Sequence, residues 1–275
     1  MSEKKITIGC DPEYGIINNG RLITPSSVIT NNTGEFGIDG SGRVAELRPQ
    51  YADNPIQLTK NIQDLLRRGV ESNPGLKEHK MKAGGMAVDE PIGGHIHFGH
   101  PSLKKPDRQR LLGDALDRTV SVLTLMVEDQ EEAINRRIGS GYGQVGSGNC
   151  RDQAWGVEYR VLPSWLTTPE ECEAILALAF IVACEHADDD VMNEACSLPA
   201  YDHLSFRECD KIGLMYYIEP IVKFIRALPK YEEYEPSIRP LWKLIKNQKV
   251  WSCDKDMKDT WSLLKSPKKK EVSFA

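Results

Sequence analysis

Residues 93–99 have the sequence Gly-Gly-His-Ile-His-Phe-Gly, which places two histidines two positions apart. Because side chains alternate between the faces of a β-strand, a strand here points His95 and His97 to one face and Ile96 and Phe98 to the other. Two imidazoles on one face can bind a metal ion or a phosphate group. A strand whose histidines only form structural hydrogen bonds is the alternative that this segment alone leaves open.

Three pairs of charged residues repeat this spacing elsewhere in the chain: Asp11 and Glu13, Glu46 and Arg48, and Glu158 and Arg160. Carboxylates on one face of a strand suit hard cations such as Mg²⁺ or Mn²⁺, and arginines suit phosphates. If the four strands are neighbours in one sheet, these pairs form a polar patch with the groups that phosphoryl transfer requires. Simple ion pairs, and a proline-containing turn after Asp11, are the alternatives.

Short strands and amphipathic helices are expected to position these groups. Strands are predicted over Lys4–Cys10, Arg43–Pro49 and Ala154–Leu162, with hairpin turns at residues 18–20 and 39–40. Helices are predicted over residues 54–69, 106–127, 168–187, 210–227 and 238–246 from N-cap residues, first-position prolines and apolar spacing. The run from Ala174 to Cys184 is almost wholly apolar, so we expect its helix to be buried.

The segment Glu128–Asp152 is polar and rich in glycine, and residues 141–146 formally match G-x-G-x-x-G. A helix rather than a strand is predicted before this match and no apolar helix follows it, so we exclude a dinucleotide-binding loop. A long loop with Arg136, Arg137 and Arg151 favours a mobile lid over an anion. A solvated linker with incidental arginines is the alternative.

The bulk composition excludes several classes of protein. A net charge of −5 over 275 residues argues against general nucleic-acid binding. The longest apolar run is too short to cross a bilayer, and the N-terminus has no apolar signal sequence. The seven cysteines are odd in number and contain no C-x-x-C pair, which indicates reduced thiols. We therefore expect a cytoplasmic protein with neither nucleic-acid nor membrane partners.

Taken in order, the motifs resemble those of the phage-type COOH-NH2 ligase family (type 2 amidoligases), which belongs to the glutamine synthetase and glutamate–cysteine ligase superfamily. The motifs that carry the resemblance are Gly9-x-Asp11-Pro12-Glu13, Glu46-Leu47-Arg48-Pro49, Gly94–Gly99, Tyr142-Gly143 and Gly156–Arg160. Superfamily members often have paired glutamates near the first strand, where this chain has Asp11 and Glu13. This departure keeps the metal-binding chemistry but changes the ligand geometry.

The resemblance implies an α+β fold, in which a curved and mainly antiparallel sheet has helices packed on its back, as in the catalytic domain of glutamine synthetase. Residues 1–190 would form the catalytic core and residues 191–275 a helical C-terminal extension packed on it. The implied activity is ATP-dependent amide-bond formation with Mg²⁺ or Mn²⁺. A carboxylate of a small molecule, peptide or protein would take the γ-phosphate as an acyl phosphate, and an amine would then displace phosphate.

The same resemblance implies roles for individual residues. The implied metal ligands are Asp11, Glu13, Glu46, His95 and Glu158. Arg160, Arg151 and His97 would act on the transferring phosphoryl group. Nucleotide contacts would come from Arg48, Arg137, Tyr142 and Gly143, although the two arginines could equally pair with glutamates.

Two other functions remain open from the sequence. A metal-dependent hydrolase could use the His-x-His pair, but it would require further histidine ligands, and the four others are in no comparable motif. A non-catalytic phage scaffold or binding protein could retain the fold. A phage-encoded chain would act in the host cytoplasm, and a homo-oligomer is compatible with the family because superfamily sites are sometimes completed by a neighbouring subunit.

Overall fold

A computed structural model describes residues 5–30, 34–146, 149–187 and 198–264 of the protein. The strands are β1 (Thr7–Cys10), β2 (Glu13–Asn18), β3 (Arg21–Leu22), β4 (Phe36–Ile38), β5 (Ala45–Leu47), β6 (Lys80–Lys82), β7 (Met86–Ala87), β8 (Glu90–Pro91), β9 (Ile96–Gly99), β10 (Cys150–Gln153) and β11 (Gly156–Tyr159). The α-helices are α1 (Pro55–Ser72), α2 (Pro106–Leu116), α3 (Val122–Val127), α4 (Gln130–Ile134), α5 (Pro169–Ala187), α6 (His203–Arg207), α7 (Lys211–Ala227), α8 (Tyr231–Lys246) and α9 (Met257–Thr260). Two π-helical turns, Asp117–Ser121 and Asn135–Gly139, follow α2 and α4.

All strand pairs among the described residues are antiparallel. One sheet has the order β1-β9-β11-β10, and a second has the order β3-β2-β5-β4 with β6 also paired to β2. The remaining pair is β7 with β8. Antiparallel sheets combined with helices confirm the predicted α+β class.

The two larger sheets meet where the chain passes from β1 to β2 through Asp11 and Pro12. Backbone hydrogen bonds continue across this junction, because the amide of Asp11 donates to His95 O at 3.3 Å and the amide of Glu13 donates to Gly93 O at 2.8 Å. The charged pairs therefore do not lie in a single regular sheet as the spacing suggested. Proline has no amide hydrogen to donate to a neighbouring strand, and the chain passes from one sheet to the other at this residue.

The back of the first sheet is the apolar core. Ile8, Ile96, Phe98, Val157 and Tyr159 are fully buried on it. The apolar helix α5 packs against α1, α2 and α8 and is buried on nearly all sides, as predicted. Among the described residues, no helix has both the length and the apolar composition needed to cross a bilayer.

The structure confirms the first predicted hairpin turn and corrects two predictions about helices. Asn19 and Gly20 have φ of 48° and 76° in the β2–β3 hairpin, the conformation that a two-residue primed turn requires. The segment after Glu128 begins as a helix and not as a loop, because Asp129 caps the amides of the first turn of α4. Helix α8 begins seven residues before the predicted start, at Tyr231, and contains two prolines that obscured the pattern.

The proposed division at residue 190 falls in residues 188–197, which lie outside the described part of the chain. Helix α8 packs on α5, and Trp261 donates a hydrogen bond to Leu166 O at 2.8 Å. The helical C-terminal part is therefore in direct contact with the core. The division itself stays a prediction.

Gly69 in α1 packs against the ring of Phe36, which lies in the second sheet. A Cβ atom at this position would lie 2.1 Å from the ring of Phe36 in β4. We expect Gly69→Ala to lower the free energy of unfolding by about 1–3 kcal/mol, because overpacking outweighs the better helix propensity of alanine. Urea unfolding measures this change. Adding Phe36→Leu should recover part of the loss, and a stabilised Gly69→Ala protein would contradict the packing argument.

Candidate active site

Three side chains that could bind a metal ion meet where β1, β9 and β11 lie side by side. Asp11 follows β1, His95 precedes β9, and Glu158 lies in β11. One ligand atom from each of them falls within 4.8 Å of the others. Nδ1 of His95 is 3.2 Å from Oδ1 of Asp11 and 3.7 Å from Oε1 of Glu158. The sequence predicted all three as metal ligands, and the fold brings these three together.

His97 is the second imidazole on this face. In the strand register, His97 lies opposite Gly9 on one side and Glu158 on the other. Its Nε2 atom is 3.1 Å from Oδ1 of Asp11, and its ring stacks on Trp155 with 4.9 Å between centroids. The predicted shared face of the two histidines is therefore present, and both imidazoles contact the same aspartate.

Glu158 is buried and surrounded by cationic and amide groups. Its carboxylate lies 3.3 Å from a terminal nitrogen of Arg151 and 3.1 Å from Nε of Arg160. Gln153 donates a hydrogen bond to Oε2 at 2.7 Å. The two arginines are more exposed than the carboxylate, so their remaining donors can reach a ligand in solvent.

Several polar atoms of this cluster are buried without a hydrogen-bond partner of adequate geometry. Among the described residues they include Oδ1 of Asp11, Oε1 of Glu158, Nε2 of His97 and Nε of Arg160. Buried polar atoms usually have hydrogen-bond partners. Oδ1 of Asp11 and Oε1 of Glu158 lie near imidazole and guanidinium nitrogens without hydrogen-bond geometry, so these two oxygens could also bind a cation. Two carboxylate oxygens and one imidazole nitrogen fit Mg²⁺ or Mn²⁺, with water or phosphate oxygens completing the coordination.

The pKa values in the cluster follow from this arrangement. Burial alone would raise the pKa of Asp11, but the neighbouring imidazoles of His95 and His97 outweigh it and hold the pKa well below its usual range. Burial alone would lower the pKa of His95, but Asp11 raises it above the ordinary value. Asp11 is therefore ionised at neutral pH.

Glu13 and Glu46 form a second acidic pair beside the first cluster. They lie directly opposite each other in β2 and β5. Burial raises the pKa of each to about 7, and the charge on Asp11 contributes for Glu46. These two carboxylates are buried beside the first cluster and have raised pKa values. A bound cation would keep both of them ionised.

Arg48, the arginine of the predicted Glu46–Arg48 pair, contacts Glu46 and two backbone carbonyls. Nε of Arg48 lies 2.9 Å from Oε1 of Glu46, and its terminal nitrogens donate to the carbonyls of Gly34 and Ile38. Arg48 thus has three protein partners and holds Glu46 in place. Three of its five N–H donors are thus used, and its predicted contact with a nucleotide stays a prediction.

Arg136 and Arg137 do not lie on an exposed lid, contrary to the sequence-based expectation. Both are in the π-helical turn after α4 and are buried. Arg137 forms a bidentate pair with the buried Glu128 at 2.6 and 2.8 Å. Arg136 donates to the carbonyls of Ile92, Val161 and Leu162. Neither guanidinium is available to an anion, because both are buried and their terminal nitrogens already bind protein groups.

Tyr142 and Gly143 approach the cluster from the loop after this turn. The hydroxyl of Tyr142 is 2.6 Å from Nε2 of His95, and Arg136 lies over the Tyr142 ring at 4.8 Å. Gly143 has a φ of 77°, and a Cβ atom there would collide with the Arg136 guanidinium. The predicted residues are thus at the site, but in contact with His95 and Arg136.

Sequence reasoning missed Gln153 and Trp155. Both lie at the β10–β11 hairpin, where Arg151 is opposite Glu158 in the strand register. The signal was available, because a two-residue turn at residues 154–155 aligns Arg151 with Glu158 and puts Gln153 beside them. The strand predicted from Ala154 starts inside this turn. Its partner β10 lies in the segment that the sequence predicts to be a loop.

The fold of the chain resembles that of the ligase PafA, and two further solved structures match less well. A crystal structure of the complex between prokaryotic ubiquitin-like protein Pup and its ligase PafA matches with a TM-score of 0.57 at 12% identity, covering 94% of this chain and 64% of that one. Glutamine synthetase from Plasmodium falciparum matches with a TM-score of 0.46 at 9% identity over 88% and 72% of the two chains. A bifunctional glutathione synthetase from Pasteurella multocida gives 0.45 at 10% identity over 94% and 48%. The chain therefore spans less than two thirds of the length of PafA.

The similarity to PafA concerns the fold alone, and the sequence defines the family. Residues 8–263 match the sequence model of the phage phiEco32-like COOH.NH2 ligase-type 2 family. The chain belongs to this family. A search of curated protein sequences gives no significant match.

Proposed function

We propose that the protein is an ATP-dependent carboxylate–amine ligase that requires Mg²⁺ or Mn²⁺ and proceeds through an acyl phosphate. The observation that carries the proposal is the cluster of half-buried Asp11 with buried His95 and Glu158, in which Oδ1 of Asp11 and Oε1 of Glu158 have no hydrogen-bond partner of adequate geometry and Arg151 and Arg160 flank the site. Family membership and the fold shared with PafA support it. Site geometry and family thus favour the same chemistry.

Different residues of the site would bind the cations and the phosphate groups of the triphosphate. Asp11, His95 and Glu158 would hold one cation, and Glu13 with Glu46 would hold another. Such cations neutralise phosphate oxygens and so lower the barrier to phosphoryl transfer. His97 contacts Asp11 and would donate a hydrogen bond to a γ-phosphate oxygen. Arg151 and Arg160 can turn their free donors toward the same group.

The chemistry would proceed in two displacements. An oxygen of the substrate carboxylate attacks the γ-phosphorus, the bond to the bridging oxygen of ADP breaks, and an acyl phosphate forms. The amine then attacks the acyl carbon, the bond to the phosphate oxygen breaks, and the amine proton passes to a base. Arg151 and Arg160 would stabilise the charge that develops in the first step, since they already face the cluster.

The substrates are defined only by class. The carboxylate belongs to a small molecule, a peptide or a protein side chain, and the second substrate is an amine. PafA is named as the ligase of the protein Pup, so a protein carboxylate is the first substrate class to test. A homo-oligomer would be required only if a neighbouring subunit completes the site.

The test is ADP release from ATP with Mg²⁺ or Mn²⁺ across carboxylates paired with amines. We expect ADP formation that depends on both substrates. Arg160→Lys should reduce the rate on the order of 10²-fold, because a lysine loses the planar fork that binds a phosphoryl group. Arg239→Lys, in an exposed pair on α8, is the control and should keep the wild-type rate. Absence of nucleotide binding in the wild type would overturn the ligase proposal and favour a hydrolase or scaffold.

A further inference from the structure

A continuous set of contacts joins the protein core to the candidate metal ligand His95. Arg136 is buried and donates to three backbone carbonyls. Its guanidinium lies over the Tyr142 ring, whose hydroxyl is 2.6 Å from Nε2 of His95. Nδ1, the other nitrogen of the same imidazole, faces Asp11 and Glu158. Each group in this chain is thus fixed by the one before it.

We propose that Tyr142 is a positioning residue, which holds the His95 imidazole with Nδ1 toward Asp11 and Glu158 and so couples cation binding to docking of the loop that carries Tyr142. The inference rests on the cation site of the proposed function. It concerns a hydroxyl that contacts His95, whereas the sequence suggested that Tyr142 contacts the nucleotide.

The geometry requires a partner at Nε2. An imidazole that binds a cation through Nδ1 carries its proton on Nε2, and that N–H needs an acceptor in a buried site. The Tyr142 hydroxyl is within hydrogen-bond distance of this nitrogen. A phenyl ring at the same position would leave Nε2 without that partner.

The rest of the Tyr142 side chain is fixed independently of His95. Within the described part of the chain, Arg136 forms no ion pair with a carboxylate, and its donors bind the carbonyls of Ile92, Val161 and Leu162. The ring of Tyr142 covers its face as a cation–π partner. Gly143 allows this approach, because a Cβ atom there would lie 1.9 Å from a terminal nitrogen of Arg136. Phenylalanine keeps the ring contact, so Tyr142→Phe removes only the hydroxyl.

Linkage makes the coupling measurable from both sides. If the loop docks through the bond between Tyr142 and His95, a cation that strengthens this bond also stabilises the docked loop. The docked loop in turn favours the imidazole orientation that binds the cation. Cation affinity and protection of the loop should therefore change together when the hydroxyl is removed.

The experiment titrates the metal-free full chain with MnCl₂ alone and follows binding by calorimetry and by the EPR signal of free Mn²⁺. We expect Tyr142→Phe to weaken Mn²⁺ binding by about 10- to 100-fold and to lower the melting temperature of the metal-free protein only slightly. Tyr216→Phe, an exposed tyrosine on α7, is the matched control and should bind as the wild type does. Gly143→Ala keeps the hydroxyl but displaces the loop, so it should weaken Mn²⁺ binding in the same direction.

Limited chymotrypsin digestion gives the second readout, since the protease cleaves after tyrosine and phenylalanine alike. Mn²⁺ should slow cleavage after residue 142 roughly tenfold in the wild type and little in Tyr142→Phe. Equal Mn²⁺ affinity in the wild type and Tyr142→Phe would overturn the positioning role and leave the ligase proposal intact. No Mn²⁺ binding by the wild type would instead overturn the cation site, and this inference with it.

Discussion

Glu158→Gln should weaken Mn²⁺ binding by more than about 100-fold and reduce ligation to a comparable extent, since even outer groups of a metal site are worth 10- to 100-fold. Glutamine keeps the size of the side chain and removes the charge. The carboxylate is buried beside His95 and within reach of Arg151 and Arg160, so its loss removes a ligand oxygen and leaves cationic groups facing each other. Mn²⁺ titration and the ADP-release assay measure the two effects.

A matched glutamate separates a role in the site from a role in folding. Glu132 is ion-paired with Lys82 at 2.5 Å and accepts from the amide of Gly85, away from the cluster. Glu132→Gln should lower stability and leave Mn²⁺ affinity unchanged. If Glu158→Gln binds Mn²⁺ and turns over as the wild type does, Glu158 is a structural residue and the proposed cation site is wrong.

Arg137→Met should lower the free energy of unfolding by about 3–5 kcal/mol, because it leaves the carboxylate of Glu128 buried without its counter-charge. Both side chains are almost fully buried, and the two hydrogen bonds between them are short. Arg137 also lies over the ring of Phe206 in α6. Urea unfolding of the wild type and the variant measures the loss.

A double-mutant cycle tests the origin of this effect. Glu128→Leu combined with Arg137→Met removes both charges and should be clearly more stable than Arg137→Met alone. Arg239→Met breaks an exposed pair with Glu235 and should change stability little. Should Arg137→Met keep its stability but lose nucleotide binding, the sequence-based assignment of Arg137 to the nucleotide would be correct and the structural role wrong.

The sequence by itself determined the local parts of the site. The spacing of two in the histidine motif and in the Glu158–Arg160 pair puts those side chains on one face of any extended strand, whatever lies around it. Caps and prolines determined where α1 and α5 begin, because the signals are within four residues of each helix start. The ordered motifs also determined the family.

Tertiary structure alone decided which groups face the ligand and which are structural. Arg137 and Arg151 look alike in the sequence, since both are arginines in a glycine-rich polar segment. One is buried against Glu128, whereas the other faces Glu158 across a hairpin. The β10–β11 turn aligns Arg151 with Glu158, whereas Arg137 pairs with Glu128 because the turn after α4 is packed inside the protein.

The change from one sheet to the other at Pro12 also depends on the tertiary structure. It turns one expected polar face into the meeting point of two sheets, with Asp11 directed to the histidines and Glu13 to Glu46. Two carboxylates that are two residues apart thus belong to two neighbouring clusters. The spacing defined the pair of carboxylates, but only the packing of the neighbouring strands gave each one its partners.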